Sequence, residues 1–198
     1  SIQYGVLPGT DGSNQSNQFG WLLSEKETGF KANDVTYPNQ YPQYTPSQFL
    51  YRLFNTNIDS RYDGTFKSEF NATLDVPSLG IKVGDLRLYF PKPDQPFTVQ
   101  DSLDFIAQHP VANIITIGRW LPNIDNVGGS GKFPMIWKFH DSKATSVWTS
   151  TRDVIIFRLA ETYLIAAEAY FKNGDNVKAT ERLNTIRTRA ALPGKQSE

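Results

Sequence analysis

The sequence predicts a mainly α-helical chain that also carries irregular, loop-rich stretches and short β-segments, an α+β composition of elements. Three observations carry this expectation. Helical periodicity runs through residues 150–192 with one glycine break, at Gly174. Short, Gly-bounded and partly alternating segments at Thr65–Leu74 and Leu86–Phe90 read as strands. Pro38, Pro42 and Pro46 forbid a helix through the stretch that contains them and favour extended or turn geometry.

The length of 198 residues suits one domain, 1–198, read in three stretches: loop-rich over 1–44, mixed helix and short strand over 45–149, and a helical hairpin over 150–192. Gly12-Ser13-Asn14-Gln15-Ser16-Asn17 marks the polar opening as a loop. From Phe19 to Thr45 no period is sustained, and Trp21, Phe30, Tyr37, Tyr41 and Tyr44 are spaced among Pro, Asn and Gln. A first helix is expected from Thr45, whose hydroxyl can cap it, with Pro46 at the first helical position. Phe49, Leu50, Leu53 and Phe54 would form its apolar stripe. After the two strand-like segments, closed by Pro91 and Pro93, a short helix is expected at Asp101–Gln108 before Pro110, then a strand at Ile114–Ile117. Residues 122–132 read as a Pro/Asn/Gly loop and 133–150 as irregular or β, holding Trp137, Phe139 and Trp148.

The hairpin opens on Ser150-Thr151-Arg152-Asp153, a capping-box pattern in which the serine serves the Asp153 amide. Ile155, Ile156, Leu159, Tyr163, Ala166, Ala167 and Tyr170 then recur at helical spacing. Gly174 can take the left-handed conformation that closes the helix, and Asp175 caps the next one. Ala179, Leu183 and Ile186 give the second helix its inward face, Pro193-Gly194 stops it, and alanines at 166, 167, 169 and 179 permit close approach.

Charge and cysteine content exclude several function classes. Twenty basic residues balance twenty acidic ones, so no long-range field draws nucleic acid or an anionic bilayer. Absence of cysteine excludes disulfides, thiolate metal sites and a cysteine nucleophile. No run approaches the roughly 18 apolar residues of a membrane span, and the first residues given do not read as a charged-then-apolar leader. The start at Ser1, and the end soon after a helix, are those expected of an excised fragment.

The string Arg158-Leu159-Ala160-Glu161-Thr162-Tyr163-Leu164-Ile165-Ala166-Ala167-Glu168-Ala169-Tyr170 is followed by Gly174-Asp175, Ala179, Leu183-Asn184, Ile186-Arg187 and Arg189-Ala190. It resembles the hallmark of the SusD/RagB family. Asp59-Ser60-Arg61-Tyr62-Asp63, Thr65-Phe66, Gly84-Asp85 to Pro91, and Lys138-Phe139 are similar to that family in the same order, so the resemblance spans about residues 45–192. The spacing Ala167, Tyr170, Gly174, Ala179, Leu183 also resembles one tetratricopeptide repeat. The resemblance implies a largely helical, lipid-anchored outer-membrane protein that lies as a lid on a SusC-like TonB-dependent porin. Such a protein binds glycans or other nutrients without cleaving them, and needs no cofactor or metal. Relative to the family the chain lacks the lipobox cysteine, most of the helical N-terminal half and the usual end, as expected of an excised C-terminal domain whose anchor lies elsewhere.

Candidate chemistry is sparse. Glu161 and Glu168 share a helix face seven residues apart, but structural networks outnumber carboxylate active sites, and Glu168 pairs at i, i+4 with Lys172. His109 and His140 have no motif-placed serine for a triad, and two scattered histidines are too few for zinc. Gly128-Gly129-Ser130-Gly131-Lys132 fails as a phosphate loop: position 126 is Asn, and no Ser or Thr follows the lysine. Asp59 and Asp63 around Arg61 read as turn and cap residues. No catalytic residue is assigned. Sugar rings stack their C–H faces on Trp and Tyr while amides and carboxylates bind the hydroxyls. Trp21, Tyr37, Tyr41 and Tyr44, among Asn33, Asn39, Gln40 and Gln43, and Trp120 near Asn123, are therefore the candidate ligand contacts, with packing as the competing role of each. The expected function is noncatalytic binding of a glycan or other nutrient for delivery to the porin. The alternative is a structural domain that docks on the porin while ligand is held elsewhere, and a glycoside hydrolase comes third for want of an acid pair.

Overall fold

The computed structural model describes residues 27–32, 34–37, 45–120, 132–145 and 156–196. It is mixed: helices, and two small sheets of two and three strands. Two compact units form. The first is Ser1–Phe54 with Asp63–Thr151, and the second is Asn55–Tyr62 with Arg152–Glu198.

In the first unit, helix α1 (Gln48–Arg52) begins two residues later than expected. Ser47, not Thr45, has the extended backbone of a cap, and its hydroxyl accepts the Leu50 amide at 3.0 Å. Most of the expected apolar stripe is turned outward. Phe49, Leu50 and Leu53 are exposed, Phe54 is half-buried with its ring 5.5 Å from that of Phe66, and Tyr51 is buried. A five-residue helix is barely more than one turn, so periodicity has little hold on its orientation. Tyr51 decides it instead, donating its hydroxyl to the Pro91 carbonyl at 3.0 Å and packing edge-on against Phe66 and Trp120.

The one-turn helix α2 (Arg61–Thr65), whose span carries the chain from one unit to the other, leads into β1 (Phe66–Lys67). Strand β1 pairs antiparallel with β5 (Met135–Ile136). After a single residue, Ser68, strand β2 (Glu69–Asn71) pairs antiparallel with β3 (Leu86–Tyr89). Strand β3 in turn runs parallel to β4 (Asn113–Ile114). The inward side chains Phe66, Phe70, Leu88, Phe90 and Met135 are buried and make the core of this unit. Helix α3 (Val99–Gln108) starts two residues before the sequence expectation because Thr98 and Asp101 form a reciprocal capping box. Its Phe105 stacks on Tyr89 with centroids 4.4 Å apart. The expected strand at Ile114–Ile117 stops early, giving way to a 3-10 turn at Ile117–Arg119. Segment 27–32 is pinned by Glu27, whose side chain is only 8% exposed and pairs with Lys132, with Arg87 at 3.9 Å.

In the second unit, α4 (Leu159–Lys172) and α5 (Asn176–Ala190) form the expected hairpin. Gly174 has φ +82°, and the Asp175 carboxylate accepts the Lys178 amide at 3.1 Å. Ala167 and Ala179 are buried, as small residues at a helix crossing must be. Helix α4 starts later than expected. Residues 156–158 are not helical, and Arg158 is extended (φ −129°, ψ 139°). Ile156 is β-branched and Phe157 aromatic, which favours extended backbone. The capping-box residues Ser150–Asp153 lie outside the described residues. The hairpin is joined by segment 55–62: the Ser60 amide and hydroxyl both donate to the Ala190 carbonyl at 2.9 Å, and the Leu192 amide donates to the Ile58 carbonyl at 2.8 Å. Asp59 takes the expected turn role, accepting the Arg61 amide at 2.8 Å and pairing with its guanidinium. Leu159, Ile165, Phe171 and Val177 remain exposed on the hairpin.

Candidate functional site

A cleft of about 340 Å³ opens in the first unit where the two sheets meet, lined by Asp63, Phe66, Lys67, Ser68, Glu69, Tyr89, Lys92 and Trp137. Its residues come from α2, β1, the Ser68 link, β2, β3, the chain just after β3, and the chain just after β5. Because side chains alternate along an extended strand, the buried Phe66 and Phe70 put the intervening Lys67 and Glu69 on the opposite, solvent-facing side. Antiparallel pairing sets Glu69 directly opposite Tyr89. The register of β1 with β5 puts Trp137 one residue beyond Ile136, the partner of Phe66.

The centre of the site is the Lys67 ammonium. It lies 5.5 Å from the Trp137 centroid, 5.7 Å from that of Tyr37 and 5.8 Å from that of Phe70. Burial pushes Lys67 below the usual lysine range, and the negative charge of Glu69 opposes that shift. Tyr89 is raised by burial and, less strongly, by Glu69. Lys92 is answered by Asp63 at 3.0 Å. Trp137 has one face stacked on His140, with centroids 3.8 Å apart. The arrangement offers aromatic walls, a cation, a carboxylate and a hydroxyl within one small concavity, which suits polar ring-shaped ligands.

A second cleft, of about 440 Å³, adjoins the first through Glu69, which lines both. Phe105, His109, Asn71, Asp85 and Gln108 contribute to its walls. His109 thus borders a cleft, with its ring tilted over Phe105 at 4.8 Å, while His140 serves as a stacking partner. Among the described residues, no group of three or more His, Asp or Glu is placed to hold a metal ion.

The candidates drawn from sequence separate into three fates. Tyr37 stands at the site's inner edge, accepting the Asn71 amide at 3.0 Å and touching Phe30, Phe70 and Trp137 with its ring. Burial raises its phenol above the usual range, the Asn71 hydrogen bond opposing. Trp120 is 7% exposed, packs on Tyr51 at 4.6 Å and lines neither cleft, so its position is one of packing. Trp21, Tyr41 and Tyr44 lie outside the described residues. Sequence reasoning missed Lys67, Glu69, Tyr89 and Trp137. The available signal was the stretch Phe66-Lys67-Ser68-Glu69-Phe70, in which two charges alternate against two phenylalanines.

The hairpin around Gly174-Asp175, segment 58–60 closing on its end, and the small sheets before it occur in the order expected from the family resemblance, and the SusD family model matches residues 4–198. The chain belongs to the SusD family. No curated protein and no solved structure matches it. SusD proteins bind nutrients or glycans in uptake at the outer membrane, as a binding family and not a catalytic one. They are outer-membrane-associated lipoproteins that work with SusC-like transporters. In this SusD chain no helix among the described residues is long and apolar enough to cross a membrane.

Proposed function

We propose that this chain binds a glycan or similar nutrient without cleaving it, at the outward face of the outer membrane, and hands it to a SusC-like TonB-dependent porin. The observation that carries the reading is the cleft at Trp137 and Tyr89, where aromatic walls stand beside Lys67, Glu69 and Ser68. Aromatic surface recognises the C–H faces of sugars, and flanking polar groups take their hydroxyls. Tyr37 would support Trp137 from behind. Trp21, Tyr41 and Tyr44 would add to the site from the loop-rich start of the chain. The helical hairpin, of tetratricopeptide type, would serve as scaffold.

The test is affinity electrophoresis of the chain through gels containing a panel of polysaccharides, followed by calorimetric titration of any that retard it. Trp137→Ala should abolish retardation while circular dichroism stays that of the parent. Full retardation of that variant would remove the cleft as the site.

A second reading, docking on the porin with ligand held elsewhere, draws on the hairpin's exposed Leu159, Ile165, Phe171 and Val177. Its signature would be co-purification with the transporter that survives Trp137→Ala and fails on Phe171→Ser with Val177→Ser.

A further inference from the structure

The two lysines of the Trp137 cleft differ in one respect. Lys92 has the Asp63 carboxylate at 3.0 Å. Lys67 has three rings around it, and among the described residues it forms no ion pair and no hydrogen bond through its ammonium. Aromatic faces attract a cation, yet they do not accept the three N–H bonds that an ammonium offers. Burial already disfavours the charged form, so the charge is incompletely solvated where it sits. Glu69, two residues on and lining the same cleft, also has no ion pair among the described residues. Two residues of strand separate their Cα atoms by about 7 Å, and no ion pair closes that gap.

We propose that this cleft selects acidic glycans, with the anionic substituent of one sugar bonded to the Lys67 ammonium and hydroxyls at the other end of that sugar donated to Glu69. This rests on the reading of the cleft as the glycan site and adds the class of sugar. A carboxylate or sulfate supplies the strong acceptor that Lys67 lacks, in surroundings where charge-assisted hydrogen bonds count for more than in water. A neutral sugar offers only hydroxyls. Glu69 sets the polarity: it repels an anion at its own end and so orients the acidic group toward Lys67. Asp63 exerts no comparable repulsion because Lys92 neutralises it.

Affinity electrophoresis of the full chain in gels of polygalacturonate, alginate and glucuronoxylan, each beside its carboxyl-reduced form, tests the proposal. Carrageenan beside its desulfated form distinguishes a sulfate source from a carboxylate one. At least one acidic polymer should retard the chain about tenfold or more strongly than its neutralised form, the scale of one charge-assisted hydrogen bond. Lys67→Met should remove that preference, Lys67→Arg should keep it, and Glu69→Gln should strengthen binding of the acidic form. Equal binding of acidic and neutralised polymers, abolished by Trp137→Ala, overturns the acidic selectivity and leaves the glycan site standing. Acidic preference that persists in Lys67→Met overturns the role of this lysine. Absence of binding to every polymer removes the glycan site and the selectivity together.

Discussion

Replacing Tyr51 by Phe deletes a single oxygen from the centre of the first unit. That hydroxyl donates to the Pro91 carbonyl at 3.0 Å from a residue 1% exposed. Removing the donor takes a partner from a buried carbonyl and costs about 1–3 kcal/mol. Tyr51→Ala also removes the ring, which meets Trp120 at 4.6 Å and Phe66 at 5.1 Å, and truncation of a buried aromatic costs about 3–5 kcal/mol. Urea unfolding followed by tryptophan fluorescence is the appropriate assay, because Trp120 and Trp137 lie in the unit that holds Tyr51. With a urea dependence of about 1–3 kcal/mol per molar, Tyr51→Phe should lower the midpoint by on the order of 1 M, and Tyr51→Ala by clearly more. Two results refute the reasoning. A Tyr51→Phe midpoint equal to the parent's means that the Pro91 carbonyl does not depend on this donor. Equal losses in the two variants mean that the ring contributes nothing beyond its oxygen.

Ala179→Leu should destabilise the hairpin by about 1–3 kcal/mol through overpacking at the helix crossing, read as a lower melting temperature by circular dichroism. Gly29→Ala should cost more than Gly174→Ala in chemical denaturation. Both glycines have positive φ, about 1–2 kcal/mol of strain for an added Cβ, but only at Gly29 would that atom meet a neighbour, the Ile81 Cγ2 at 3.2 Å. Asp59 is held below its ordinary 3.8 by the side-chain hydrogen bond from Arg61, so its contribution is present above that value and fades as pH falls through the lowered one. Thermal melts across the acid range should therefore show a shallower loss for Asp59→Asn than for the parent.

Local pattern made the hairpin legible: a glycine able to turn left-handed, an aspartate able to cap, and alanines where two helices cross are all near neighbours in sequence. The β3 strand and helix α3 were legible for the same reason: β3 ends one residue early, and the Thr98–Asp101 capping box starts α3 two residues early. Helix α1 was misread because its orientation answers to Pro91 and Trp120, 40 and 69 residues on, and not to its own apolar spacing. The candidate site was hidden for that reason too. Lys67 and Trp137 come together through the pairing of β1 with β5, and Tyr37 joins them through its hydrogen bond with the Asn71 amide, contacts between segments far apart in the chain. Aromatic density in the loop-rich start pointed toward Tyr37 alone among the residues that surround Lys67. Trp120, equally aromatic, was drawn into packing on Tyr51. Composition does not separate these two fates, since both need a large flat ring.

Strands β1 and β2 are separated by Ser68 alone, yet they join different ladders. One inserted or deleted residue at that link would put the alternation of β1 out of phase with that of β2, so that β2 could pair with β3 only through a bulge at the link or slipped by one residue and turned over. In the slipped pairing Phe70 would be turned toward solvent and Glu69 toward the interior. The chemistry of the cleft is in this sense a matter of parity, an odd or even count along a few residues, more than of any one side chain. Substitution scans preserve that count and pass over it; a single-residue indel at Ser68 would expose it.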